Sequence, residues 1–359
     1  MSFLYERIAR PLMFRLDAET AHDIGMGMLK AGVAGRKRFE DPILHSAVFG
    51  LEFENPLGMA AGFDKNGLVA DRLADLGFGF VEVGTVTLRP QPGNEKPRMF
   101  RLPRDRALIN RLGFNYEGAE AVADRLRKIR RECVIGVNIG KNKDVPNDEA
   151  VQNYLDCLRI IHPVADYIAV NISSPNTPGL RELQQAEHLS DLIGALSAAN
   201  RQLGGKPLLV KIAPDLSDAE IEAAVDACVG HDVAGIIATN TTVSREGLRT
   251  PNVAEIGEGG LSGRPLAARS NEVISRLYTH TGGSLPIIGV GGVFSGQDAF
   301  DKIAAGASLV QAYTGFIYGG PHFASELTRS LAEILRARGF ASVSEAVGSG
   351  HQNVPVGAA

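Results

Sequence analysis

Residues 167–181 read YIAVNISSPNTPGLR, and this stretch decides the fold. It opens as an unbroken apolar run and changes after Val170 to small side chains that form hydrogen bonds, with two prolines and a glycine in the loop. Such a run is typical of a parallel strand buried on both faces, and prolines hold a loop in one conformation. The stretch predicts a buried strand whose end carries a fixed polar rim, with an ordinary Ser/Asn/Pro turn as the alternative.

Short runs rich in Val, Ile, Ala and Gly repeat this pattern along the chain, and amphipathic stretches long enough for helices lie between them at 116–131, 186–203, 218–229 and 297–305. Apolar strands that alternate with helices predict an α/β fold, and a count of eight fits a closed (β/α)8 TIM barrel. A doubly wound open sheet is the alternative. The predicted strands are 57–63, 81–87, 135–140, 167–173, 208–214, 235–241, 286–292 and 309–315.

Polar residues gather at the carboxyl ends of these predicted strands, including Thr85, Asn138, Lys211 and Thr239. In a closed barrel all the carboxyl ends meet at one mouth, where the loops build the active site. An open sheet would spread the same residues apart. Their distribution therefore favours the barrel.

The composition is that of a globular protein with a large core: 359 residues, 44% hydrophobic and 22% charged. The net charge of −4 argues against nucleic acid as a partner. Cys133, Cys157 and Cys228 lie far apart without metal-ligand spacing, which predicts free thiols in a reducing compartment and no metal site. No apolar run approaches the ~20 residues that span a bilayer.

Two glycine-containing rims predict a phosphate site. Gly291 and Gly292 close the seventh predicted strand, and Tyr313 and Thr314 close the eighth. Backbone N–H groups after these two strands form the usual phosphate cradle of such barrels. A phosphorylated substrate or cofactor is therefore expected, although a glycine pair alone would indicate only a tight turn.

Lys211 lies within an apolar strand and is expected to point into the barrel, where an ammonium group needs an anionic or electron-rich partner. One such partner is a flavin. Another is a carbonyl substrate that forms a Schiff base, as in an aldolase-type lyase. The alternative for the side chain is a lysine that faces solvent. The alternative for the whole protein is a phosphate-binding barrel without catalysis.

Uncharged amides dominate the predicted rim and suit a planar heterocycle with alternating N–H and C=O groups. Lys65 is a candidate partner for a carboxylate on that ring. No histidine and no close pair of carboxylates stands at the rim, so Ser174 remains as the candidate general base, with Thr177 and a water as its proton relay. The amides are those of Asn110, Asn138, Asn171, Asn176 and Asn240.

The motifs at 60–67, 110–115, 171–181, 260–265 and 289–292 resemble those of class 2, quinone-dependent dihydroorotate dehydrogenases. The resemblance runs from the N-terminal helices to about residue 336. It implies oxidation of (S)-dihydroorotate to orotate in de novo pyrimidine (UMP) biosynthesis, with one FMN per subunit and a membrane quinone as electron acceptor. Ser174 would remove the C5 proton while C6 passes hydride to flavin N5; class 1 enzymes use a cysteine instead.

The resemblance also assigns site residues, and it places Lys211 at the N1/O2 edge of the flavin rather than in Schiff-base chemistry. The implied substrate residues are Lys65, Asn110, Arg111, Leu112, Gly113, Phe114, Asn171, Asn176, Asn240 and Thr241. The implied FMN residues are Ala61, Gly62, Phe63, Asp64, Lys65, Thr85, Asn138, Asn171, Lys211, Thr239, Gly263, Gly292, Tyr313 and Thr314.

A small helical extension is expected at residues 1–45, ahead of a barrel at 46–340 and a flexible tail at 341–359. Asp17 would cap its second helix. Pattern alone favours a lid packed on the barrel. The apolar side consists of Phe3, Leu4, Ile8, Leu12, Met13 and Leu16 in the first helix and Ile24, Met28 and Ala31 in the second, fringed by Arg7, Arg10 and Arg15.

For the extension, the resemblance favours membrane binding over a lid packed on the barrel. It implies a membrane-bound helix pair that admits ubiquinone or menaquinone to the FMN, with His22, Arg101 and Tyr313 near the quinone head. The implied protein is a monomer, peripheral on the cytoplasmic face of the cell membrane.

Overall fold

The eight predicted strands close into a parallel barrel in the computed structural model, which describes residues 4–351. The fold prediction is therefore confirmed, and Phe3 lies outside the described residues. In chain order the strands of the described part are β1 (Ser46–Val48), β2 (Leu51–Phe53), β3 (Leu57–Met59), β4 (Phe80–Val86), β5 (Met99–Leu102), β6 (Ala107–Asn110), β7 (Val134–Ile139), β8 (Tyr167–Asn171), β9 (Leu208–Ile212), β10 (Gly235–Ala238), β11 (Gly260–Gly263), β12 (Ile287–Val290) and β13 (Leu309–Ala312).

The barrel runs β3-β4-β7-β8-β9-β10-β12-β13 and closes between β13 and β3. Its strands are buried on both faces, which explains the unbroken apolar runs. Large rings fill the interior beside glycines: a Cβ on Gly136 would stand 2.0 Å from the Tyr167 ring, and one on Gly58 would stand 2.3 Å from the Phe80 ring. This close approach requires glycine at both positions.

Helices cover the outside of the barrel. The predicted helix at 116–131 is shorter, because Gly118 adopts a φ of +88° just before its first turn and Tyr116 forms an isolated bridge with Gln91. The helices of the barrel are Ala70–Asp75, Ala119–Leu126, Ala150–Ile161, Ala186–Gln202, Asp218–Gly230, Val253–Ile256, Ala267–Thr281, Gly296–Ala304, Thr314–Gly319 and Phe323–Ala337.

Two small antiparallel sheets were not predicted. The hairpin β1-β2 places Phe49 against the first residue of β10, so it covers the amino-terminal end of the barrel. The sheet β5-β6-β11 lies at the opposite end, where Asn110 at the end of β6 reaches the mouth. Strands of three or four residues carry too little alternation to be separated from loops in the sequence.

The N-terminal extension is helical, with a π-helical segment at Tyr5–Ala9, a short helix at Arg10–Met13 and a longer one at Ala18–Lys30. Asp17 caps the last of these, because its carboxylate accepts hydrogen bonds from the backbone N–H groups of Glu19 and Thr20, both at 3.0 Å. The predicted cap is confirmed.

One side of the extension is attached to the barrel. The Tyr5 hydroxyl and the Arg10 guanidinium donate to backbone carbonyls of residues 317–318 at 2.7 and 2.8 Å. Glu19 and Arg98 form a buried ion pair at 3.0 Å, which ties the long helix to the loop before β5. The helices are therefore held in place by polar contacts on this side.

The opposite side of the extension is apolar and exposed. It contributes seven of the ten large apolar side chains that are exposed in residues 4–351. Met13 departs from the predicted face because it is half-buried. None of the helices in the described range is both long enough and apolar enough to cross a membrane. The seven exposed side chains are Leu4, Ile8, Leu12, Leu16, Ile24, Met28 and Val33.

Residues 341–351 were expected to belong to a flexible tail, but the structure shows them packed against the barrel. Val343 and Ala346 are fully buried in the core, and the His351 ring stacks on Tyr278 with 4.9 Å between centroids. The backbone N–H of Val343 donates to the carbonyl of Ile43 at 2.8 Å, so this segment and the chain before β1 are joined. Apolar residues in the segment explain the packing; residues 352–359 lie outside the described part.

Candidate active site

The carboxyl ends of the barrel strands surround a cavity of about 950 Å³, including the part open to solvent. Most of the predicted site residues line it. They are Ala61, Gly62, Thr85, Asn110, Leu112, Gly113, Phe114, Asn171, Ser174, Asn176, Lys211, Thr239, Asn240, Thr241, Gly263, Gly292, Tyr313 and Thr314.

Several predicted residues lie outside this lining. The Asp64 carboxylate accepts from the backbone N–H groups of Leu68 and Val69 at 2.7 and 2.8 Å, so it fixes its own loop, and burial raises its pKa. The Arg111 guanidinium turns away from the mouth and donates to the carbonyls of residues 256 and 258 at 2.6 and 2.9 Å. Asn138 is fully buried among the barrel strands.

The loop after β8 is tied to the rest of the mouth by hydrogen bonds and an ion pair. Asn171 donates to the Thr85 hydroxyl at 2.8 Å, and Asn240 donates to the Asn171 amide oxygen at 3.2 Å. Arg181 returns from the far end of the loop to the carbonyl of Ser173 at 3.1 Å and forms an ion pair with Asp215 at 2.9 Å. These contacts hold the amides of Asn171, at the end of β8, and Asn240, just after β10, together at the rim.

Ser174 lies in this loop, buried to 6% exposure but lining the cavity. Its Oγ accepts a hydrogen bond of 3.3 Å from the backbone N–H of Asn176. The Asn176 side chain donates to the Asn110 amide oxygen at 3.2 Å, which joins the loop to the sheet above the mouth. The buried Thr177 hydroxyl has no hydrogen-bond partner within residues 4–351, so it is available to a neighbouring group.

A polar cluster lies at the floor of the cavity, centred on Glu82 of β4. This fully buried carboxylate accepts hydrogen bonds from Asn138 at 2.8 Å, Gln311 at 2.7 Å and Tyr167 at 3.1 Å. The Lys211 ammonium lies 3.4 Å from it. The anionic partner that the sequence required for Lys211 is thus a side chain of the barrel itself.

Glu82 and Gln311 were missed in the sequence, although each carried a signal. Both are polar residues within a run of apolar strand residues, and burying such a group is costly unless it is paired. Other lining residues outside the predicted set are Ala60, Tyr116, Ser262, Leu266, Val290, Val293, Ala312 and Gly315.

The far corner of the cavity is built from backbone. Gly263, Gly291 and Gly292 line it with φ angles of +103°, +125° and +73°. A Cβ on Gly292 would stand 2.4 Å from the Ala267 side chain. Glycine is therefore required here, and the backbone of these residues forms the wall of the cavity.

A second cavity adjoins the first beneath the long N-terminal helix, and Lys65 and His22 line it. Lys65 donates to the Asn115 amide oxygen at 3.2 Å, and burial lowers its pKa to about 8. Burial, assisted by the charge of Lys65, lowers the pKa of His22 to about 4. His22 is therefore neutral at physiological pH.

The three residues assigned to the quinone adjoin the N-terminal helices. The Phe63 ring lies between His22 and Tyr313, with centroid distances of 5.3 and 6.0 Å. Arg101 donates to the carbonyl of Met13 at 2.9 Å. An aromatic path thus leads from the helices to Tyr313 in the mouth. Within residues 4–351 no His, Cys, Asp or Glu cluster is placed to bind a metal ion.

Comparison with known proteins agrees with this architecture. The family model described as dihydroorotate dehydrogenase matches residues 43–335. A dihydroorotate dehydrogenase (quinone) of Mycobacterium marinum is 50% identical over 95% of this chain and 96% of its own length. The protein of the same name from Mycobacterium tuberculosis (strain H37Rv) is 49% identical over 97% and 99%.

A solved structure gives the same result. The crystal structure of the Eimeria tenella dihydroorotate dehydrogenase in complex with ferulenol superposes with a TM-score of 0.89 at 41% identity, covering 94% of this chain and 96% of that one. The fold, the family match and the near full-length relatives agree. The chain belongs to the quinone-dependent dihydroorotate dehydrogenases, oxidoreductases of pyrimidine biosynthesis.

Proposed function

We propose that this chain oxidises (S)-dihydroorotate to orotate with FMN as its flavin and Ser174 as the general base. The observation that carries the proposal is the position of Ser174, because its Oγ lines the mouth and already accepts an N–H hydrogen bond. No His, Asp or Glu is among the described residues that line the cavity.

The residues present fit FMN. Gly263, Gly291 and Gly292 line a corner at the usual phosphate position of these barrels, and a Cβ on any of them would press against neighbouring protein atoms, so the corner is walled by backbone. Beneath the mouth, Asn138 Oδ1 and Gln311 Oε1 are buried without a hydrogen-bond partner in the described chain, as expected of acceptors that serve a ligand. When bound, FMN supplies the two-electron acceptor for the hydrogen at C6 of the substrate.

The substrate would be held by uncharged amides and one lysine. Asn110 and Asn176 form one hydrogen-bonded pair at the rim, and Asn171 and Asn240 form another. Together the four amides would present both donors and acceptors to the pyrimidine ring. Lys65 would pair with the substrate carboxylate. Lys65 is buried, which lowers the pKa of its ammonium group, and a bound carboxylate would favour the charged form.

Ser174 would take the C5 proton while the hydrogen at C6 leaves with its electron pair. As the C5 proton arrives, Ser174 would release its own hydroxyl proton, and the backbone N–H of Asn176, which donates to Oγ, would stabilise the negative charge that develops there. The proton would pass on through the Thr177 hydroxyl and a water. The two electrons and two protons finally reduce the quinone to its quinol.

The direct test is an anaerobic absorption spectrum of the purified protein. We expect bound FMN to give a yellow protein and dihydroorotate to bleach it, with orotate formed in equal amount. A protein that takes up FMN and stays oxidised with dihydroorotate would contradict the proposal. Reoxidation by ubiquinone or menaquinone then tests the second half-reaction.

Schiff-base chemistry at Lys211 is less well supported. Its ammonium lies 3.4 Å from the Glu82 carboxylate, and an ion-paired ammonium is not a nucleophile. A covalent adduct trapped by borohydride with a carbonyl substrate would reverse this preference.

Gly292→Ala is expected to weaken FMN binding by roughly 100-fold or more, because the added Cβ meets Ala267 at the wall of the phosphate corner. The dissociation constant is measured by titrating FMN-free protein. Gly282→Ala is the matched control: its φ is also positive, at +59°, but a Cβ there meets nothing within 4 Å. Equal FMN affinity in both variants would show that the phosphate does not bind in this corner.

The exposed apolar side of residues 4–33 supports attachment to a membrane surface. Its partner would be the cytoplasmic face of the cell membrane, where quinone enters between the helices and passes His22, Arg101 and Tyr313. The neutral ring of His22 and the aromatic contacts of Phe63 suit an uncharged quinone. A monomer suffices for this arrangement, because the site is built from one chain.

A further inference from the structure

The Glu82 carboxylate is the most highly connected buried charge below the active-site mouth. It is 0% exposed, and side chains from four other barrel strands converge on it: Asn138 from β7, Tyr167 from β8, Lys211 from β9 and Gln311 from β13. The family resemblance places Lys211 at the N1/O2 edge of the flavin, but it assigns no task to Glu82. A buried carboxylate with four partners requires an explanation, because removing a charge from water is costly.

We propose that Glu82 is a positioning residue that holds the Lys211 ammonium beneath the flavin and balances its charge there. The inference rests on the proposed FMN site. Three neutral donors hold the Glu82 carboxylate in place, and the Lys211 ammonium is its fourth partner. Glu82 thus acts on the cofactor through Lys211 and does not itself line the cavity.

The Lys211 ammonium can contact both Glu82 and a ligand in the cavity. An ammonium group has three N–H donors, and its contact with Glu82, at 3.4 Å, occupies one direction from below. Lys211 also lines the cavity, so its remaining donors are available to a ring above it. Without Glu82 the ammonium would lose its ion-pair partner and would no longer be held in this position.

Burial makes the two charges dependent on each other. Lys211 is 5% exposed, and a buried charge whose partner is removed is strongly destabilising, whereas loss of both charges costs less. The Glu82–Lys211 pair therefore predicts a specific pattern for the two single variants and the double variant. Additive losses would instead show that the two side chains act independently.

The test is a double-mutant cycle in the full-length protein. FMN dissociation constants and thermal midpoints are measured for Glu82→Gln, Lys211→Gln and the variant with both changes. We expect each single change to weaken FMN binding roughly tenfold or more. The double variant should bind FMN no more weakly than Lys211→Gln, and its thermal midpoint should exceed that of at least one single variant.

Glu82→Asp separates charge from shape. It keeps the carboxylate and shortens the side chain, whereas glutamine keeps the shape and removes the charge. We expect the aspartate variant to retain more FMN affinity than the glutamine variant, and the reverse order would overturn the proposal. Glu222→Gln is the matched control, because it removes a carboxylate from an exposed ion pair with Arg276 and should change neither quantity.

Failure to fold is also informative. If Glu82→Gln or Lys211→Gln does not fold, folding of the double variant supports the pair, and its failure overturns the proposal. Additive losses of FMN affinity would overturn it as well. If the wild-type protein binds no FMN, the proposed function fails, while the thermal midpoints still decide whether Glu82 and Lys211 act as a pair.

Discussion

Replacing Ser174 with alanine is expected to slow flavin reduction by dihydroorotate by roughly 10²- to 10⁴-fold while FMN remains bound. The side chain contributes only its Oγ to the mouth, and the loop around it is fixed by other residues, including Asn171 and Arg181. The variant should therefore keep its structure and lose the proton acceptor. Anaerobic stopped-flow measurement of flavin bleaching gives the rate directly.

The control for Ser174→Ala is the second half-reaction of the same variant. Flavin reduced chemically should be reoxidised by quinone at the wild-type rate, because that step does not use the C5 proton. A variant that bleaches at close to the wild-type rate would show that another group removes the proton. Loss of both half-reactions would instead indicate damage to the FMN site.

Ser174→Cys asks whether the position needs a proton acceptor of a particular strength. A thiol ionises near pH 8.5, far more readily than a serine hydroxyl. The variant should recover part of the rate that alanine loses, and its rate should rise with pH as more thiolate forms. A cysteine variant as slow as the alanine variant at every pH would argue that the position does not bear the base.

The sequence predicted the barrel well because its strands are buried on both faces. An unbroken apolar run followed by polar residues repeats at each strand, and the loops after the strands must then meet at one mouth. The hairpin β1-β2 and the sheet β5-β6-β11 were not predicted, because their strands are three or four residues long. Segments of that length gain their structure from tertiary contacts and not from their own pattern.

The site was predicted to the extent that its side chains follow strand ends. Asn171, Ser174 and Lys211 fall where the pattern placed them. Asp64 and Arg111 occur in the right motifs, but their side chains turn to loop backbone, a choice that depends on hydrogen-bond partners distant in sequence. Glu82 was overlooked because its partners come from four other strands, and only the closed barrel brings them together.

Changing Ile8 and Leu12 together to glutamate is expected to reduce binding to lipid vesicles by roughly 100-fold or more, since burial of each side chain is worth about 1.5–3 kcal/mol. Both lie on the exposed apolar side of the N-terminal helices, at 51% and 56% exposure. They make no contact with the mouth, so flavin reduction by dihydroorotate should be unchanged. Vesicle co-sedimentation measures the binding, and turnover with a quinone dissolved in the same vesicles measures the consequence.

The paired outcome decides what the helices do. Val229→Glu is the control, because this valine is 54% exposed on the helix Asp218–Gly230 and outside the N-terminal extension. Deletion of the whole extension is a poorer experiment, since Ile43 and Leu44 belong to the barrel core and a cut at residue 45 would remove them. If the double glutamate variant binds vesicles as well as the wild-type protein does, the exposed side does not bind the membrane. Lost binding with normal turnover would separate quinone access from membrane attachment.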